Sequence, residues 1–288
     1  MQQIKQAAIK ALVYSDLFDY PLTAKELWEY AVSQKPFSLD QLQKALGTLK
    51  KVSEKNNFYV LLGREKLISL RVEREKIGNK KIKKAQKISQ MLSYIPTIRF
   101  IGVSGSVAMR NASAQDDIDL FFITKKNSVW VSRFLVTILL QLGGVRRRWN
   151  ASDVTDTICA NMFLDEEVAL SPMKKQNLYI AHEIVQIKPL FSVGKIYDNF
   201  LDANTWTTDL LPNWRRASSL EAKTSPVRDM IGSAFLPLEP ICRWIQTTYM
   251  KRKRTTETIT KSLIAFHPND ASERILREFE RKYQTYAV

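Results

Sequence analysis

Residues 98–124, IRFIGVSGSVAMRNASAQDDIDLFFIT, constrain the fold of this chain more than any other stretch. A short apolar run of Ile98, Phe100, Ile101 and Val103 ends at Ser104-Gly105-Ser106. A second run, Ile118, Leu120, Phe121, Phe122 and Ile123, is rich in β-branched and aromatic residues, so both read as strands. Alternation in the second puts Asp117 and Asp119 on one face with Phe121 and Ile123, and Ile118, Leu120 and Phe122 on the other. Such a strand has core on both sides and two acids at one end. Carboxylates two positions apart repel by roughly 1–4 kcal/mol at a surface-like dielectric. A cation between them removes that cost, and Mg²⁺ (or Mn²⁺) carrying a nucleoside triphosphate suits such a pair. Gly105 lets the backbone approach a phosphate without a side chain in the way. Ser106 can donate its hydroxyl and cap the short helix that follows.

A strand ending in Gly-Ser, a short helix, then a strand with Asp-hydrophobic-Asp-hydrophobic resembles the signature of the DNA polymerase β-type nucleotidyltransferase superfamily. The order of elements elsewhere is similar to that of bacterial proteins carrying a winged helix before this domain. The resemblance implies metal-dependent transfer of a nucleoside monophosphate from an NTP to an acceptor hydroxyl. It makes Asp117 and Asp119 catalytic metal ligands, and Gly105, Ser106 and Arg110 nucleotide-binding residues. Arg110 falls where many small members carry an arginine in the connecting helix, whereas Asp116 stands where serine is common. Members with full activity usually carry a third acid on a neighbouring strand. The strand expected over 157–164, TICANMFL, has no acid within it. Asp153 and Asp156 precede it, Asp165 follows it, and Asn161 is central. Either Asp156 completes the catalytic triad, or Asn161 has taken the acid's place. The second case leaves a weakly active or inactive transferase fold acting as a winged-helix nucleic-acid-binding module. Strand register decides between them, since a slip of one residue flips every side chain.

The net charge of +15 favours polyanionic partners. It gathers at Lys80, Lys81, Lys83 and Lys84, at Arg146-Arg147-Arg148, and at Lys251-Arg252-Lys253-Arg254. A triphosphate alone does not demand so much charge, but an acceptor such as RNA does. Transfer to a small, aminoglycoside-like molecule fits the signature and leaves the basic surface unexplained. Two cysteines suggest no disulfide framework, the N-terminus lacks a signal-peptide pattern, and no apolar run reaches the length of a membrane span. These features predict a cytoplasmic protein without a membrane partner.

The expected fold class is α+β, in three domains. Residues 1–72 read as a winged helix: a helix over about 3–18, capping boxes at Thr23-Ala24-Lys25-Glu26 and Ser38-Leu39-Asp40-Gln41 opening two more, then strands at Phe58–Leu62 and Lys66–Arg71 around Gly63-Arg64-Glu65. Lys44, Lys50 and Lys51 then lie on the outward side of the third helix, facing a major groove or a protein partner. Residues 73–170 form the nucleotidyltransferase core, with a small mixed sheet and a basic connecting helix over 73–94. Residues 171–288 are expected to be helical, with helices over 172–187, 227–250 and 270–286. His182 reads as a packed, hydrogen-bonded histidine.

Overall fold

A computed structural model of the protein describes residues 1–148, 152–216, 225–251, 258–265 and 271–287. The chain opens with α1 (Gln2–Asp16), β1 (Leu22–Thr23), α2 (Ala24–Glu29), α3 (Leu39–Leu46), β2 (Val52–Lys55) and β3 (Phe58–Leu61). Both expected capping boxes form, Thr23 with Glu26 and Ser38 with Gln41. Each satisfies two helix-end N–H groups reciprocally. Ile9, Leu12 and Val13 of α1 bury against Leu27, Leu42, Leu46 and Leu61.

The hairpin differs from the sequence expectation. Its strands are β2 and β3, with β1 completing an antiparallel sheet of order β1-β3-β2. Asn56 and Asn57 make the turn, both at positive φ (53° and 64°), as a two-residue hairpin of right-handed strands requires. Val52-Ser53-Glu54-Lys55 is too polar to announce itself as a strand. The residues expected as the second strand instead lead into α4 (Leu67–Leu92). There Arg71 is buried, pairing with Glu26 at 2.9 Å and lying over the Tyr20 ring.

From α4 the chain enters β4 (Ile98–Val103), α5 (Gly105–Ala108), β5 (Ile118–Thr124), α6 (Val129–Leu142), β6 (Ile158–Asp165) and α7 (Glu166–Ala169). It continues through α8 (Leu178–Val185), β7 (Lys188–Ser192), α9 (Ile196–Ala203), α10 (Thr207–Leu210), α11 (Pro226–Ala234), α12 (Glu239–Lys251), β8 (Thr258–Ile259), β9 (Leu263–Ala265) and α13 (Ala271–Tyr286). The larger sheet is mixed, in the order β7-β4-β5-β6-β9-β8. Only β5 and β6 pair in parallel, joined by the crossover through α6; the other neighbours are antiparallel. Ile118, Leu120 and Phe122 bury against α4 and α6, through Ile82, Leu92 and Trp130. Phe121 and Ile123 bury on the opposite face against Ile184 of α8 and Phe200 of α9. The two-sided core anticipated for this strand is therefore present.

The region after residue 170 is not purely helical, as expected, but contributes β7, β8 and β9 to the sheet. The helix expected over 172–187 starts only at Leu178, where the Asn177 side chain accepts from Ile180 N–H at 3.0 Å. The helix expected over 227–250 is two, α11 and α12, interrupted by a 3₁₀ turn at Leu236–Leu238 that contains Pro237. Ile275 and Phe279 of α13 pack into the N-terminal core beside α1. Arg252-Lys253-Arg254 and Phe266-His267-Pro268 lie outside the described residues. Among the described residues no helix is long and apolar enough to cross a membrane.

Candidate functional site

β4 and β5 bring the Gly-Ser loop and the acid pair to one end of the sheet. Ser104 N–H donates to the Asp119 carbonyl at 3.1 Å, tying the end of one strand to the start of the other. Gly105 follows at φ +64°, a left-handed conformation that favours glycine. A Cβ on Gly105 would lie 3.5 Å from Asp119 Oδ2, so the bare backbone faces the carboxylate across one methyl's width. Ser106 donates its hydroxyl to Asp116 Oδ2 at 3.2 Å. Asp116 also accepts from Ser113 N–H (2.9 Å) and from the Ser113 hydroxyl (2.6 Å). It is thus a staple for the loop rather than an inward-facing acid.

Asp119 pairs across the parallel ladder with Cys159. Ligand atoms of Asp117, Asp119 and Cys159 all lie within 4.8 Å of one another. Neither residue weighed for the third acid stands in that place. A bulge sets Leu120 opposite Ala160 and Phe121 opposite Met162, so Asn161 is the extra residue, and it is buried. Asp156 precedes the strand at φ 55°, its carboxylate 2.6 Å from Lys81 Nζ. Lys81 also donates to the carbonyls of Ala114 (3.1 Å) and Asp116 (2.7 Å). This lysine was expected, with Lys80, Lys83 and Lys84, among the residues that meet a polyanionic partner. It is buried instead, 2% exposed, because the loop carrying the acid pair is folded onto it. Lys80 and Lys83 are exposed and Lys84 is half-buried. Lys44 and Lys50 are exposed, and Lys51 donates to the Thr285 and Ala287 carbonyls at the C-terminal end of α13.

Two further side chains interact with the acid pair, and a third flanks the loop beside it. Arg147 places Nη1 2.7 Å from Asp117 Oδ2. It gets there because residues 145–147 run beside the start of β6: Ile158 N–H donates to the Val145 carbonyl, and Arg147 N–H to the Ile158 carbonyl. Lys188 pairs with Val103, directly before the Gly-Ser loop. Burial and then the Arg110 guanidinium push its pKa down. Two cations thus share the loop's flank, an arrangement that an anion relieves. Arg110 itself sits at φ 56°, with Gly78 of α4 beneath: a Cβ there would come within 2.6 Å of the Arg110 Cα. The Arg110 side chain is 3.7 Å from Glu75.

The second residue that interacts with the acid pair is Glu183. Ile180 and Ile184 on α8, with Ile187 just beyond its end, form the stripe packed on Phe100, Phe121 and Ile123, and Glu183 falls within that stripe at helical spacing. It therefore faces the side of the sheet from which Asp119 projects. Burial, and then the Asp119 charge, push its carboxyl up to about 7. An acid interrupting an isoleucine stripe was the available sequence signal. His182, its neighbour, is a packed residue: buried, stacked on Tyr14 at 4.1 Å, its Nδ1 3.0 Å from Gln186 Nε2.

The donor chemistry fits a hard cation. Two carboxylates supply the oxygen ligands Mg²⁺ and Mn²⁺ prefer, with phosphate and water completing the shell. Burial, followed by the charges of Asp119 and Asp117, pushes the Cys159 thiol well up, and a soft sulfur is a poorer ligand for such a cation than the two carboxylates. Comparison with protein-family models gives no match to this chain, and comparison with curated proteins gives none either.

Proposed function

We propose that this protein is a metal-dependent nucleotidyltransferase of the polymerase β type. It would move a nucleoside monophosphate from an NTP to an acceptor hydroxyl, with RNA or another macromolecule as acceptor. The observation that carries this reading is the juxtaposition of Gly105, in its left-handed conformation, with the Asp117/Asp119 strand end. Asp117 and Asp119 are the residues that would hold Mg²⁺ or Mn²⁺, which when bound neutralises charge on phosphate oxygens. Gly105 and Ser106 offer the β- and γ-phosphates a backbone without steric cover and a hydroxyl. Arg110 and Lys188 add positive charge on the same flank.

We assign the acceptor's proton to Glu183. Its carboxyl titrates near neutrality, where it accepts a proton without first being locked as a strong acid. The acceptor oxygen bonds to the α-phosphorus, the bond to the β-phosphate oxygen breaks, pyrophosphate leaves, and the hydroxyl proton passes to Glu183. The order of α1–α3 and the β2–β3 hairpin supports reading the first unit as a winged helix. The exposed Lys80 and Lys83 support a polyanionic acceptor. The direct test incubates the protein with each labelled triphosphate, Mg²⁺ and a cell extract, and asks which fraction takes label.

Two observations favour a second reading, a weakly active transferase fold that serves to bind nucleic acid. Arg147 already meets Asp117, and the position beside Asp119 on β6 is a cysteine. That reading predicts no metal-dependent thermal shift with any triphosphate, and a steeply salt-dependent affinity for DNA or RNA.

A further inference from the structure

α11 and α12 turn mostly polar and small residues inward and most of their large apolar residues outward. On α12, the Glu239 carboxylate accepts from the N–H groups of Trp130 (2.9 Å) and Val131 (2.8 Å). Gln246 Nε2 donates to the Trp130 carbonyl at 2.8 Å, and Cys242 and Met250 are buried on the same side. On α11, Arg228 donates to the carbonyls of Ser93, Ile95 and Ile98, and Gly232 lies against the Pro96 carbonyl. The opposite faces carry Val227 and Met230 on α11, and Ile241, Trp244, Ile245 and Tyr249 on α12, all exposed. Met230, Trp244 and Tyr249 are 68%, 69% and 60% exposed. Apolar exposure of this extent on consecutive helices marks a contact surface rather than ordinary scatter.

Charge selects what the surface contacts. Residues 226–251 contain two acids, Asp229 and Glu239. Asp229 is paired with Arg99, and Glu239 caps α6. The exposed Arg243 stands on α12, and Lys251-Arg252-Lys253-Arg254 follows at its end in the sequence. An apolar stripe with tryptophan and tyrosine, its two acids engaged by Arg99 and by α6, with the exposed Arg243 beside it on a chain of net charge +15, has the chemistry of a helix lying in an anionic bilayer interface.

We propose that the outward face of α11 and α12 docks on an anionic membrane surface. Its helices lie along the headgroup region and do not cross the bilayer. The absence of a long apolar run, which argued against a membrane partner at the level of sequence, excludes a span but not this mode. The site of the proposed transfer chemistry is built from other elements, so neither proposal depends on the other.

The test is flotation of the full chain with phosphatidylcholine vesicles, and with vesicles in which phosphatidylglycerol replaces a third of that lipid. The proposal expects partition to the anionic vesicles that weakens with salt. It expects at least about a tenfold loss of partition for Trp244→Glu and Tyr249→Glu, retention for Trp244→Phe, and unchanged melting temperatures for all three. Absence of partition, equal partition to both vesicle types, or undiminished partition of folded Trp244→Glu and Tyr249→Glu would overturn it. So would a dimer in light scattering that Trp244→Glu dissolves.

Discussion

Arg147 Nη1 lies 2.7 Å from Asp117 Oδ2, so the carboxylate that would hold a metal is also the anchor of a guanidinium. Arginine and metal compete for one anion. Arg147 is 44% exposed, which keeps the pair's strength in the range of a screened surface bridge. Arg147→Ala should therefore bind Mn²⁺ about two- to fivefold more tightly than the natural protein. Water proton relaxation enhancement with Mn²⁺ alone measures this, and weaker binding in the variant would show that Arg147 supports the metal rather than competing with it.

Glu183 links the site to pH. Its carboxyl lies near 7 in the folded chain and near 4.5 when free, so the folded state holds the extra proton between those values. The stability conferred is complete below about pH 4.5 and is lost as pH rises through 7, an effect on the order of 1–3 kcal/mol. Glu183→Gln should flatten that decline in urea melts across the window. It should also lower label transfer by about 10²–10⁴-fold if Glu183 is the base. A decline of equal size in the variant would remove Glu183 as its source.

Lys81, which is buried, holds two carbonyl oxygens from the loop that leads to the acid pair and the Asp156 carboxylate before β6. Lys81→Met leaves the Ala114 and Asp116 carbonyls without that donor and should cost about 2–4 kcal/mol in urea unfolding. Lys83→Met, at an exposed position on the same helix, should stay within about 0.5 kcal/mol of the natural protein. In nucleic-acid binding the order should reverse, with Lys83 and Lys80 carrying the salt dependence.

Gly105 has room for a methyl group but the wrong backbone for one. Its Cβ would make ordinary contact with Asp119 at 3.5 Å, whereas φ +64° penalises any side chain. Gly105→Ala should destabilise by roughly 1–2 kcal/mol and abolish the triphosphate-dependent thermal shift. A variant with an intact shift would mean that phosphate does not approach over Gly105.

The strands that flank the Gly-Ser loop were legible because their apolar content is dense and Asp117-Ile118-Asp119-Leu120 alternates before an apolar run. The capping boxes were legible for a local reason, four residues that satisfy one another. What failed was non-local. Val52–Lys55 is polar and becomes a strand only because β3 pairs with it. Lys188–Ser192 contains a proline and joins the sheet at its edge, beside β4, where a missing N–H is tolerated. The third position of the site depended on a bulge at Asn161, which no single-strand pattern encodes. Arg147 and Glu183 reach the acid pair, and Lys188 flanks the Gly-Ser loop beside Arg110, each from a separate segment, and their convergence exists only in the folded chain. The acid within the α8 stripe was the one trace of it in the sequence.

The central claim is that Asp117 and Asp119 form a metal–triphosphate site that turns over. The most direct measurement compares the natural protein with Asp119→Asn for Mg²⁺-dependent transfer of label from an α-labelled triphosphate to acceptor in a cell extract, with melting temperature as the control for folding. The account predicts label transfer by the natural protein that disappears without metal, and at least about a 10³-fold loss in a folded Asp119→Asn. Transfer by Asp119→Asn at the natural rate, or no transfer by the natural protein with any triphosphate, would contradict it.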